Sequence, residues 1–181
     1  MPKIDGLILT QYITFKYPSI KIIGISSHSN EALVTEVLSE GAIGFITKYF
    51  LAKDSIPYLA TYKNRNILEE AIDAVLQNVE YIDCLLFNST KTFKKTLSTK
   101  KIIREKYSNF SDLEIEYLIL NAADLSHKEI AKIMNKSDAS VKHYYNCIST
   151  DLNITSRSEL VYYCTTNGIV KHPMFYDKMA S

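Results

Sequence analysis

Two periodicities divide the chain. From residue 110 onward apolar positions recur at three- and four-residue spacing, and the stretches are punctuated by Ser-x-x-Glu: Ser111 with Glu114, Ser126 with Glu129, Ser156 with Glu159. In such a capping box the hydroxyl accepts from a backbone N–H of the first turn and the carboxylate reaches back to the cap's own N–H, so each pair predicts a helix start. The series predicts four helices over Phe110–Val170 joined by short turns, a compact all-α unit. Upstream, Lys21–Ser27 (KIIGISS) and Ala42–Lys48 (AIGFITK) are short apolar runs of strand length, and Asn30–Ser39 between them has helical spacing. Gly41 fits the left-handed position that ends such a helix. Strand, helix, strand predicts parallel pairing with a right-handed crossover. A further helical run, ILEEAIDAVLQNV, follows the stretch YFLAKDSIPYLATYKNRN.

Within the all-α unit, Ser137–Leu152 separates cleanly into two faces. At about 100° per residue from Ala139, the side chains of Val141, Tyr144, Tyr145, Ile148 and Leu152 fall between about 140° and 240°, and Lys142, His143 and Asn146 within about 60° of zero. The first arc is core; the second offers a cation, an imidazole and an amide. Before it, Lys128–Asn135 (KEIAKIMN) supplies a short helix with Ile130, Ala131 and Met134 apolar. Short helix, turn and amphipathic helix make a helix-turn-helix pattern, in which the second helix can reach phosphates and base edges in a major groove.

Composition, 46% apolar and 23% charged, is that of an ordinary globular protein and argues against disorder. No apolar run approaches the ~20 residues of a membrane-spanning helix, and no secretory leader opens the chain, which predicts a cytosolic protein with no membrane partner. Net charge changes the picture only when split. Residues 1–90 hold seven Lys/Arg against ten Asp/Glu, residues 107–181 seven against nine, and residues 91–106 seven against one. The basic excess is thus confined to a Ser/Thr/Lys-rich segment between packed units, a basic linker able to add phosphate contacts beside a DNA-binding unit. Cys84, Cys147 and Cys164 are odd in number and widely spaced, so neither a disulfide framework nor a zinc site is predicted. No nucleophile–base pair, paired carboxylates or glycine-rich phosphate loop appears, which points away from an enzyme; no catalytic residue, metal or cofactor is expected.

The run MPKIDG, KIIGIS, SEGAIGFITK over Met1–Lys48 resembles the second half of a response-regulator receiver domain, from just after the phosphorylated aspartate. The resemblance implies that Ser26 matches the hydroxyl that bonds the phosphoryl group, Lys48 the lysine that pairs with it, and Phe45 the switching aromatic. Asp5 and Gly6 match the turn and helix start after the site; Asp5 is not the acceptor. The family's acid pair and acceptor aspartate precede the part matched, so these positions are expected to be vestigial, without a phosphoacceptor. A lysine beside a lost carboxylate is costly to bury, which predicts that Lys48 turns outward.

FSDLEIEYLIL, LSHKEIAKIMNKSDASVKHYYNCISTDL, SRSEL and NGIV together resemble the LuxR-type DNA-binding domain throughout Phe110–Val170. Such domains are tetrahelical and insert their third helix in the major groove. The resemblance implies that Ser126, Lys128 and Glu129 belong to the turn and scaffold helix, and that Ser140, Val141 and Lys142 open the recognition helix. Lys128, Ser140 and Lys142 are then expected on phosphates, His143 and Asn146 on base edges. The helix after Ser156, Arg157–Asn167, is the family's usual dimer contact. Leu113, Asp124, Tyr144 and Asp151 depart from the family's Arg, Gly, His and Lys, and Asp151 puts an anion where a phosphate-facing cation is usual.

The chain is therefore expected to hold an α/β receiver remnant of parallel strands with helices (1–90, lacking the family's first three strands), a basic linker (91–106), an all-α tetrahelical helix-turn-helix domain (107–170) and a tail (171–181). The function implied is a DNA-binding transcription regulator of the LuxR/NarL response-regulator type, acting on double-stranded DNA as a homodimer and not phosphorylatable in this chain. The rival reading, favoured by Asp151, is a degenerate interaction protein that dimerises with intact regulators without binding DNA.

Overall fold

The computed structural model describes residues 4–28, 31–48, 67–82, 109–123 and 125–171. The insertion at 49–66, the basic linker at 91–106, Cys84, Asp124 and residues 172–181 lie outside the described residues. In chain order the elements are α1 (Gly6–Lys16), β1 (Ile23–Ser26), α2 (Glu31–Ser39), β2 (Gly44–Thr47), α3 (Ile67–Leu76), β3 (Tyr81–Ile82), α4 (Asp112–Asn121), α5 (His127–Met134), α6 (Asp138–Asp151) and α7 (Arg157–Thr166). They form two compact units, one spanning Pro18–Leu97 and the other Ser98–Ser181 together with Met1–Tyr17.

In the sheet unit the strands run β1-β2-β3 and both pairings are parallel. The expected strand, helix, strand order is present; β3, two residues long, extends the sheet beyond the two strands legible in the sequence. Helix α2 ends as its sequence predicts. Gly41 adopts φ 109°, the Gly41 N–H donates to Leu38 O and the Ala42 N–H to Val37 O, satisfying carbonyls the helix leaves open. Gly24 is required for a different reason. A Cβ there would stand 2.8 Å from Val37 Cγ1 and 3.0 Å from Phe45 Cδ2, so only a glycine lets the Phe45 ring lie across β1. Phe45 and Ile46 are buried, and Ile46 packs with Ile67 and Ala71 of α3.

The helical unit holds the four helices α4 to α7, with a core from Ile115 and Leu118 through Ile130, Val141 and Ile148 to Leu160 and Ile169. Each predicted capping box is present: Ser111 and Glu114 start α4, Ser126 and Glu129 start α5, Ser156 and Glu159 start α7. At the last of these, hydrogen bonds donated by Thr155 hold the Glu159 carboxyl below the usual carboxylate range. Asn135, at φ 54°, turns the chain between α5 and α6.

A fifth helix packs in this unit. Residues 1–90 are expected above to form one receiver-like unit, but α1 lies against α4, so the first seventeen residues belong with the helical unit. The physical reason is on both surfaces. Ile8, Tyr12 and Phe15 join the same core as Leu118, while Glu116, nearly buried, is held by the ammonium of Lys16 and by the Tyr12 hydroxyl, which donates to it at 3.0 Å. Burial and the Glu116 charge push the Tyr12 phenol well above its ordinary range. Gln11 Nε2 donates to Ile169 O at 2.6 Å, tying the start of the unit to its end.

Candidate nucleic-acid interface

The helix-turn-helix is built from α5, the turn at Asn135 and α6. Ser137 caps α6: its hydroxyl accepts from the Ser140 N–H at 3.1 Å and lies 2.9 Å from Ser140 Oγ. The two arcs predicted for α6 are the two arcs observed. Val141 and Ile148 are wholly buried, Tyr144, Tyr145 and Leu152 are half-buried against the core, and Lys142, His143 and Asn146 are exposed. Lys128 is exposed in the first turn of α5, and Ser140 is half-buried beside the α6 cap. Asp151, the last residue of α6, is exposed.

A polar network joins α4 to α5, to α7 and to the turn between α4 and α5. The Tyr117 hydroxyl donates to Asn121 Oδ1 at 3.1 Å and lies 3.2 Å from His127 Nε2. Arg157 Nε donates to the same Asn121 oxygen at 2.8 Å, and its Nη2 donates to Leu125 O at 3.0 Å. The His127 ring stands 6.0 Å from Tyr117 and 5.6 Å from Tyr145, so it joins α4 to the inner side of α6. Burial, then the nearby charges of Arg157 and Lys142, lower the His127 pKa and favour a neutral ring. Arg157, expected at the head of a dimer helix, thus directs its guanidinium to α4 and the turn after it. Ser158, Tyr162 and Thr166, spaced by four residues, are exposed along α7.

The receiver-like positions are also placed. Ser26 ends β1 and its hydroxyl accepts from the His28 N–H at 3.0 Å; its register partner is Thr47 on β2, which Lys48 follows. Lys48 is exposed, as expected of a lysine without a buried partner, and Phe45 points inward. Ser26 and Lys48 therefore lie at the same carboxyl edge of adjacent parallel strands. Asp5 caps α1, its carboxylate accepting from the Leu7 N–H at 2.7 Å.

Comparison with known proteins finds two domain families along the chain, the first of which includes α1. Residues 1–58 match the response regulator receiver domain, and residues 108–164 match the bacterial regulatory proteins of the luxR family. The chain is 26% identical to the transcriptional regulatory protein DegU of Brevibacillus brevis, over 94% of this chain and 72% of that protein. It is 27% identical to the transcriptional regulatory protein LnrK of Bacillus subtilis (93% and 73%) and 29% identical to the oxygen regulatory protein NreC of Staphylococcus aureus (94% and 73%). Among solved structures it is similar to the RcsB response regulator of Salmonella typhimurium, with 22% identity, a TM-score of 0.33, and 91% of this chain and 70% of that one covered. It is also similar to the response regulator ChrA of a heme-sensing two-component system (20%, 0.30, 93% and 73%). Among the described residues no helix is long and apolar enough to cross a membrane. A receiver-type segment is thus joined to a luxR-family domain whose capped helices and exposed α6 arc are all in place, the make-up of a DNA-binding transcription regulator of the two-component response-regulator type.

Proposed function

We propose that α6 enters the major groove with its exposed arc toward the DNA, Lys128, Ser140 and Lys142 bonding phosphates and His143 and Asn146 meeting base edges. The observation that carries this reading is the split of α6 into a buried arc holding Val141 and Ile148 and an exposed arc holding Lys142, His143 and Asn146. A cation near the start of a helix positions it on the backbone, whereas an amide can bond adenine edges and so reads sequence. The active species is a homodimer joined through the exposed line of α7, with Tyr162 at its centre, and it works in the cytoplasm. In the sheet unit Ser26, Phe45 and Lys48 stand at the receiver family's switch positions, and in the helical unit Asp5 caps α1.

The test is a DNA-binding titration of the full chain at several salt concentrations. Lys142→Ala is expected to weaken binding to all duplexes alike and to lower the slope of log K against log[salt] by about 0.9. Asn146→Ala is expected to relax preference at particular base pairs and leave that slope nearly unchanged. Absence of binding to any duplex at low salt would overturn the reading.

A further inference from the structure

The exposed arc of α6 also carries two metal-ligating side chains in contact. His143 and Cys147 are four residues apart and so stack on successive turns of one face. The Cys147 sulfur lies 3.5 Å from His143 Nε2 and 3.7 Å from Nδ1. Two ligands on one tetrahedral zinc ion, sulfur at about 2.3 Å and nitrogen at about 2.0–2.1 Å, stand roughly 3.5 Å from each other. The pair is thus already at chelating separation, and helical zinc motifs present two ligands at this same i, i+4 spacing. Packing does not require the arrangement, because His143 is exposed and Cys147 half-exposed while Val141 and Ile148 fill the core. Cys164, by contrast, is wholly buried, and burial pushes its thiol up to about 12.

We propose that His143 and Cys147 form a two-ligand site for a zinc-class divalent ion on the exposed face of α6. Cys147 binds as the thiolate, its proton passing to solvent as the metal–sulfur bond forms, with no change in oxidation state. His143 binds through one ring nitrogen. Among the described residues no third His, Cys, Asp or Glu joins the pair, so water completes the coordination. Thiolate and imidazole select zinc over magnesium or calcium, which require oxygen ligands. One consequence rests on the proposed DNA-facing role of α6: an ion held by His143 removes that ring from the groove, so metal and DNA compete.

Calorimetric titration of the reduced full chain with Zn²⁺, and with Co²⁺ followed by its thiolate charge-transfer absorption, tests the site without DNA. One ion per chain is expected. Cys147→Ser is expected to abolish the cobalt absorption, and Cys147→Ser and His143→Gln each to weaken Zn²⁺ binding at least tenfold. Both positions face solvent, and far-ultraviolet circular dichroism of each variant checks that the fold is kept. Zn²⁺ binding undiminished in both variants, or no binding by the wild-type chain, would overturn the proposal. A parallel DNA titration separates the two readings: Zn²⁺ should weaken DNA binding reversibly in the wild type and not in Cys147→Ser. Zinc bound at the pair with DNA affinity unchanged would leave the site established and count against His143 as a groove residue.

Discussion

The two units enclose their apolar side chains to very different extents. In the helical unit Ile115, Leu118, Ile130, Val141, Ile148 and Leu160 are all at or below 1% exposure. In the sheet unit Ile20, Ile25, Leu68, Ile72, Leu76 and Val79 are all exposed, Leu76 at 64%. Helices can close on one another around a single core, each end satisfied by its own cap. A parallel sheet has two faces and two edges to cover, and its strands are stable only where helices or further strands do so. Described residues of the sheet unit meet that demand on the side of Phe45 and Ile46 and leave β1 with Ile25 turned to solvent. Unequal stability of the two units is the expectation, and it can be tested at four levels.

The largest effect is expected from Leu118→Ala, which empties a wholly buried position of the helical core and should cost ~2–5 kcal/mol. Hydrogen exchange resolved by unit should show protection falling in α4 to α7 and unchanged in β1 and β2. Equal loss in both units would show that they do not differ in stability. Next comes Lys16→Met, which leaves the buried Glu116 carboxylate with the Tyr12 hydroxyl. Removing one member of a buried pair typically costs ~3–5 kcal/mol, but Lys16 is a quarter exposed, so water shares its role and about 1–3 kcal/mol is expected in a denaturant melt. The same melt on a 107–181 fragment, which lacks α1 altogether, should show at least as large a loss.

A smaller effect concerns acidity. Because the folded His127 pKa lies below its unfolded value, the unfolded chain takes up the proton first as pH falls; stability is flat above the ordinary histidine range and declines through it on acidification. Between pH 7.5 and 5.5 the helical unit should lose more melting temperature in the wild type than in His127→Asn. Identical pH profiles would show that the ring is not the titrating group. The smallest effect is Asp151→Lys at the carboxyl end of α6, where a cation suits the helix dipole by ~0.3–1 kcal/mol. The same change should raise affinity for every duplex and steepen the salt slope by about 0.9, and a gain in stability without one in affinity would place residue 151 away from the phosphates.

Where structure follows from neighbouring residues, it was legible. Three capping boxes, the Gly41 helix end and the two arcs of α6 depend on side chains within a turn or two of each other, so spacing alone reveals them. The outward Lys48 followed from the cost of burying an unpaired ammonium. What remained hidden depends on partners distant in the chain. Helix α1 is apolar around its circumference: Ile8, Tyr12 and Phe15 share one face, but Leu7, Leu9 and Ile13 stand off it, so no single stripe announces α4 as its neighbour. Strand β3 has two residues, too few for any alternation. Arg157 was legible as a helix start, yet its bonds to Asn121 and Leu125 span more than thirty positions and carry no local signature. The His143–Cys147 pair is legible only as i, i+4 spacing, since one thiol beside one imidazole forms no cysteine cluster.

The bond from Gln11 to Ile169 spans 158 positions, and it makes the helical unit discontinuous in the order of synthesis. A ribosome adding about 5–20 residues per second needs roughly 10–30 s to pass from one to the other. For most of that interval α1 lacks α4, the helix that covers Ile8, Tyr12 and Phe15, because the sheet unit, contiguous from Pro18 to Leu97, is made between them. Helix α1 is therefore made long before its partner helices in the same unit, and during translation its apolar side chains are open to chaperones.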